Sequence, residues 1–127
     1  SKKLPVFFME MTLKAAKAGQ RIVSFPEGTL TRMPGLLGFH MGPFLVAAKT
    51  GAPLIPVTIR GTRSILRGDP WFPRHGSISV HIAGPILSGG EDFEAAVRLR
   101  DAARKVILEK CHEPDLAHEQ ILLAPEE

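Results

Sequence analysis

Two short β-branched runs touched by proline bracket a stretch punctuated like a helix. The first is Arg21-Ile22-Val23-Ser24-Phe25, closed by Pro26. The second is Leu54-Ile55-Pro56-Val57-Thr58-Ile59-Arg60, which follows Pro53. Between them, Pro43 suits a first helical turn, Phe44, Leu45, Val46 and Ala47 carry the segment on to Thr50, and Gly51 stops it. Strand, helix and strand in that order predict an α/β fold built on a right-handed βαβ unit with parallel strands. Ile22, Val23, Leu54, Ile55, Val57 and Ile59 suit burial on both faces of such a sheet. Pro56 is out of place in a strand, because it lacks the N–H that a ladder needs. It marks an edge, a bulge or a break facing a ligand.

The rest of the chain supplies further elements. Residues 4–18 mix Phe7, Phe8, Met11, Leu13 and Ala15 with Lys14 and Lys17 and end at Gly19, which predicts an amphipathic helix with Pro5 in its first turn. Residues 77–82 alternate polar and apolar, the period of a half-buried third strand, and Gly84-Pro85 ends them. Glu91, Asp92 and Glu94 favour the N-terminal end of a last long helix running to about Cys111, with Phe93, Ala96, Leu99, Ala103, Val106 and Ile107 on its apolar stripe. Arg98, Arg100, Arg104 and Lys105 fall to its wet side. A long loop over 61–76 carries Arg63, Arg67, Arg74 and the pair Trp71-Phe72, which has the composition of an interfacial anchor or of a loop packed on the sheet. A short helix over 118–123 fits the tail.

Composition bounds what this set of elements can be. With 127 residues the chain is a single domain, 1–127, and 44% hydrophobic residues give it a core rather than disorder. Cys111 is the sole cysteine, which excludes a disulfide framework and a cysteine zinc cage, and it reads as an unreactive thiol. Spanning a bilayer takes about 20 apolar residues, and no run approaches that. The opening Ser1-Lys2-Lys3, without methionine, reads as an excerpt of a longer protein. Charge is uneven: residues 1–75 hold eleven Lys/Arg against three Asp/Glu, a balance of +8, whereas 76–127 hold five against ten, a balance of −5. The basic half suits an anionic partner such as phosphate, lipid headgroups or nucleic acid, or is simply a solvated face.

The sharpest chemical feature is Phe25-Pro26-Glu27-Gly28-Thr29-Leu30-Thr31-Arg32, directly after the first run. Open α/β sheets bind ligands at such glycine-containing turns beyond a strand end. Gly28 lets backbone N–H groups approach an anion, Thr29 and Thr31 offer hydroxyls, and Arg32 can hold a phosphate through two donors. No Gly-Lys-Ser/Thr follows at Walker spacing. His40, just before the helix, could reach the same cleft or serve local hydrogen bonding, and His81 fits a half-buried sheet position.

Phe25-Pro26-Glu27-Gly28-Thr29 resembles the third conserved block of the glycerolipid acyltransferases, and Leu54-Ile55-Pro56-Val57 resembles their fourth, which accounts for the proline. The stretch from Gly35 to Gly51 is similar to the helix that family places between the blocks, and the likeness runs from about residue 10 to 110. Where family members carry Arg after Glu-Gly-Thr this chain has Leu30, with Arg32 two places on. That form resembles the branch fused to transporter-like or acyl-activating domains, such as 2-acylglycerophosphoethanolamine acyltransferases. The family's catalytic His and Asp, four residues apart, have no counterpart: five places after the histidines stand Leu45, Val80, Ile86, Ala117 and Leu123. Its second, glycine-rich block is also missing.

The resemblance therefore implies the C-terminal part of an acyltransferase domain, with Glu27, Gly28, Thr29, Thr31, Arg32 and Pro56 on the acceptor-binding side and no catalytic residue of its own. It implies transfer of an acyl group from acyl-CoA or acyl carrier protein to a lysophospholipid or glycerol phosphate hydroxyl, without cofactor or metal. The parent would be cytoplasmic, peripheral to or anchored at the cytoplasmic face of a membrane, with no nucleic acid partner. A part of such a domain is expected to leave an open strand edge and an apolar patch, covered by the 4–18 helix or by self-association. The competing reading is a non-catalytic module that binds anionic lipid or nucleic acid through the basic half.

Overall fold

A computed structural model describes residues 3–28, 35–62 and 76–117. In chain order they form α1 (Lys3–Lys17), α2 (Gly42–Thr50), β1 (Val57–Arg60), β2 (Ser79–Ile82) and α3 (Phe93–Cys111). The class is α/β, as the sequence predicts. The loop arginines and aromatics at 63–75 and the tail at 118–127 lie outside the described residues.

Local chemistry explains the helix ends. Lys14 and Lys17 occupy the last turn of α1, where cations meet the negative end of the helix dipole, and Gly19 beyond it takes φ 78°. Pro43 stands in the first turn of α2, and Gly51 closes that helix at φ 69°. The Asp92 side chain caps α3 by accepting from the Ala95 N–H at 3.0 Å. No helix among the described residues is long and apolar enough to cross a membrane.

The core forms between α2 and α3. Phe44, Ala47 and Ala48 of α2 pack with Ala96, Leu99 and Ala103 of α3, and Leu36 and Phe39 close one end. Four alanines at this contact let the helices approach closely, and Phe39 stacks on Phe44 with centroids 6.0 Å apart. On α3 the buried stripe is Ala95, Ala96, Leu99, Ala103 and Arg104, while Phe93, expected within it, is 60% exposed. Phe93 is the first residue of α3. Helix α1 packs beside α2, and its Leu13, Ala15 and Ala16 are half-buried. Phe7, Phe8 and Met11 stay largely exposed, so α1 does not bury its largest apolar groups within the chain.

The sheet departs from expectation. Among the described residues it has two strands, β1 and β2, paired antiparallel with Val57 opposite Ile82 and Arg60 opposite Ser79. Residues 21–25 lie outside any strand, with Val23 83% and Phe25 78% exposed. Their β-branched composition fits a strand, but a strand is completed only by a neighbour's ladder, and no described residue pairs with this run. The βαβ unit is thus not closed, and the parallel pairing is replaced by an antiparallel one.

Pro56 explains why β1 starts late. Leu54 pairs with Ile86 through reciprocal N–H···O bonds of 2.9 and 2.8 Å, and the Pro56 carbonyl accepts from the Ala83 N–H at 3.0 Å. From Leu54 to Val57 is three steps, but from Ile86 to Ile82 is four, so one extra residue on the second strand forms a bulge opposite the proline. The ribbon turns Thr58, Arg60, Ser79 and His81 to one face and Val57, Ile59, Val80 and Ile82 to the other. Thr58 is buried where β1 meets α3, whereas the whole apolar face is exposed. All four residues of β2 are exposed, not half-buried, because α3 packs against β1.

Leu99, 1% exposed, is the largest fully buried side chain among the described residues. Leu99→Ala should lower unfolding stability by about 2–5 kcal/mol, the cost of a core Leu truncation. Phe93→Ala should stay within about 0.5 kcal/mol. Urea denaturation followed by circular dichroism measures both, and equal effects would refute this account of the core.

Candidate functional site

The segment that follows 21–25 is a tight turn. The Gly28 N–H donates to the Phe25 carbonyl at 3.1 Å, and Gly28 takes φ 71°, a conformation that side chains resist. A second constraint requires glycine there: an added Cβ would lie 2.7 Å from Cδ2 and 2.8 Å from Nε2 of the His40 ring. The His40 N–H also donates to the Pro26 carbonyl at 2.8 Å. His40 therefore does reach this turn, the first of the two readings offered by its place in the sequence: its backbone N–H holds the turn and its ring lies against Gly28.

Glu27 is half-buried, and its Oε2 accepts the Leu37 N–H at 2.9 Å. That amide belongs to the peptide unit whose carbonyl is Leu36 O. On its other side Leu36 O accepts from Arg104 Nη2 at 2.9 Å and from the Leu116 N–H at 2.9 Å. Arg104 Nη1 donates to Leu37 O, and Nη2 reaches Asp115 Oδ1 at 2.6 Å. The guanidinium lies over the Phe39 ring, 4.8 Å from its centroid, a favourable cation–π placement.

Arg104 is 9% exposed, which corrects its assignment to the wet side of the last helix. Being next to Ala103, it is carried by the core stripe of α3 under the 35–39 segment, where Nη1 and Nη2 meet the Leu36 and Leu37 carbonyls and the Asp115 carboxylate while Nε is buried without a hydrogen-bond partner. Arg98 and Lys105 do face solvent. The segment after α3 completes the frame. Leu36 bridges Asp115 in parallel sense, its N–H donates to the Pro114 carbonyl at 2.8 Å, and Glu113 Oε2 accepts the Gly35 N–H.

Of the residues expected on the acceptor side, Glu27 and Gly28 are brought together in this turn. Thr29, Thr31 and Arg32 lie outside the described residues. Pro56 is buried and tied through its carbonyl to Ala83, at the bulge of the ribbon. What sequence reading missed is the support behind the turn: the Leu36–Leu37 peptide, Arg104, Glu113 and Asp115. A lone arginine on a helix gives no sign of burial. The available signal was only that Arg104 adjoins the stripe of Ala96, Leu99 and Ala103.

The comparisons with known proteins agree with the motifs. The Acyltransferase family model matches residues 5–60, which include the Glu27 turn and β1. The chloroplastic 1-acyl-sn-glycerol-3-phosphate acyltransferase BAT2 of Brassica napus is 35% identical over 102 residues, covering 80% of this chain and 28% of that protein. The 1-acyl-sn-glycerol-3-phosphate acyltransferase of Haemophilus influenzae is 38% identical over 66 residues, or 52% of this chain and 27% of that one. The crystal structure of PlsC, the 1-acyl-sn-glycerophosphate acyltransferase of Thermotoga maritima, aligns with a TM-score of 0.68 at 27% identity, covering 80% of this chain and 41% of that chain. The chain thus spans well under half the length of these proteins. On its motifs, its relatives and its fold, the chain belongs to the acyltransferase family.

Proposed function

We propose that this chain forms the acceptor-binding side of an enzyme that moves an acyl group from acyl-CoA or acyl carrier protein to the hydroxyl of a lysophospholipid or glycerol phosphate. The observation that carries the reading is the Pro26-Glu27-Gly28 turn, pinned by Leu37 and His40 and leading directly into Thr29, Thr31 and Arg32. Its supporting relatives are named for acylating 1-acyl-sn-glycerol-3-phosphate. In that reaction the acceptor oxygen attacks the thioester carbonyl, a C–O bond replaces the C–S bond, and the hydroxyl proton passes through a base to the departing thiol. Arg32 and the backbone donors of the turn hold the acceptor's phosphate, so that its hydroxyl is aimed at the carbonyl. No histidine here stands five places before an acidic residue, so the base comes from outside these 127 residues.

Membrane contact belongs to the same reading. The +8 balance of residues 1–75 suits an anionic surface and supports a parent enzyme peripheral to or anchored at the cytoplasmic face of a membrane. The exposed face of Val57, Ile59, Val80 and Ile82 favours association of the chain with itself when it stands alone.

Three outcomes are expected. Purified chain given acyl-CoA and lysophosphatidate should turn over at background, and activity that survives stringent purification would place a base within it, His40 first. In the acyltransferase that carries this chain, Arg32→Ala should cost about 1.5–3 kcal/mol of acceptor binding, on the order of tenfold to a hundredfold in acceptor kcat/KM, with donor KM unchanged. Unaltered acceptor kinetics would remove Arg32 from the site. Light scattering at rising concentration should report masses above the monomer; a monodisperse monomer that binds no hydrophobic dye would refute self-association.

A further inference from the structure

We propose that Arg104 is a positioning residue for the acceptor site, acting on Glu27 through the Leu36–Leu37 peptide; this rests on the reading of the Glu27 turn as the acceptor site. One peptide unit stands between a guanidinium and a carboxylate. Its carbonyl accepts from Arg104 Nη2 at 2.9 Å, and its N–H donates to Glu27 Oε2 at 2.9 Å. A cation on the carbonyl polarises the unit and strengthens the N–H as a donor, so the two bonds support each other. Nη1 binds the next carbonyl, Leu37 O, and the paired bonds fix both the position and the tilt of the peptide that Glu27 grips.

The geometry singles out arginine. Two successive carbonyls and the Asp115 carboxylate are served by one planar fork, buried over the Phe39 ring. A lysine keeps the charge but offers a single nitrogen, which cannot reproduce the fork. Asp115 Oδ1 orients Nη2 from the far side and also accepts the Ala117 N–H at 2.9 Å, so it anchors the guanidinium to the segment after α3. The hydrogen bonds of Arg104 go to Leu36 O, Leu37 O and Asp115, so its proposed effect on the acceptor passes through the peptide that Glu27 holds.

That dependence defines the experiment. In the acyltransferase carrying this chain, KM for lysophosphatidate, KM for acyl-CoA and kcat are measured for Glu27→Ala, Arg104→Met, Arg104→Lys and the pair Glu27→Ala/Arg104→Met. Met retains the apolar packing on Phe39. Arg104→Met should raise the lysophosphatidate KM on the order of tenfold, the weight of a lost charge-assisted bond, with acyl-CoA KM unchanged and Arg104→Lys intermediate. Added to Glu27→Ala, it should have little further effect, because the two act in series. Should Arg104→Met fail to fold by circular dichroism, Arg104→Lys and Asp115→Asn decide the matter by the same KM split. Additive effects, or equal changes in both KM values, would overturn the proposal and leave Arg104 a stability element. If Glu27→Ala raises acceptor KM and no Arg104 variant does, the positioning role alone fails. If Glu27→Ala leaves acceptor KM unchanged, the acceptor-site reading fails and takes this proposal with it.

Discussion

A guanidinium buried under a loop keeps its charge, so the surrounding atoms must replace the water it gives up. Around Arg104 that replacement comes from the carbonyls of Leu36 and Leu37, the Asp115 carboxylate and the face of Phe39. These groups lie more than sixty residues upstream and about ten downstream, so one side chain ties together three separate stretches of the chain. Leu36 and Phe39 are also members of the hydrophobic core. Loop, core and the segment after α3 therefore share one set of constraints, and the Glu27 turn is built on them.

Close helix packing makes this burial possible. Ala47 and Ala48 on α2 face Ala96 and Ala103 on α3, and small residues bring the helices near enough for Leu99 to be enclosed. A fully buried leucine contributes about 1.5–3 kcal/mol. The same approach fixes the rotation of α3 and carries Arg104, adjacent to Ala103, beneath the loop. The ribbon of β1 and β2 meets α3 with the opposite polarity, turning Thr58 inward and the residues Val57, Ile59, Val80 and Ile82 outward. Its apolar face is left uncovered by the described residues.

The helices were legible because their signals are local. A proline at the start of α2, Gly19 and Gly51 beyond two helix ends and Asp92 capping α3 act within a turn of the backbone they control. The Phe25–Gly28 turn was legible for the same reason, since Gly28 closes a bond only three residues long. Residues 21–25 misled because β propensity states what a segment can do, and pairing is decided by a partner elsewhere. Pro56 signalled a break in its strand correctly, but not which break. The bulge depends on the count of residues in the opposing strand.

By itself the sequence determined the α/β class, the three helices, the turn at Glu27 and Gly28 and the membership of a family, all of which rest on residue types at short fixed spacings. Tertiary structure alone decided that β1 pairs antiparallel with β2, that Phe93 stays outside the core, and that Arg104 lies inside it. It also decided that the Glu27 carboxylate is held by the Leu37 amide and that the ring of His40 covers Gly28. Each of these follows from contacts between distant segments. An arginine carries the same label on a wet face as under a loop, and only the carbonyls and carboxylate gathered around it make burial the lower free energy.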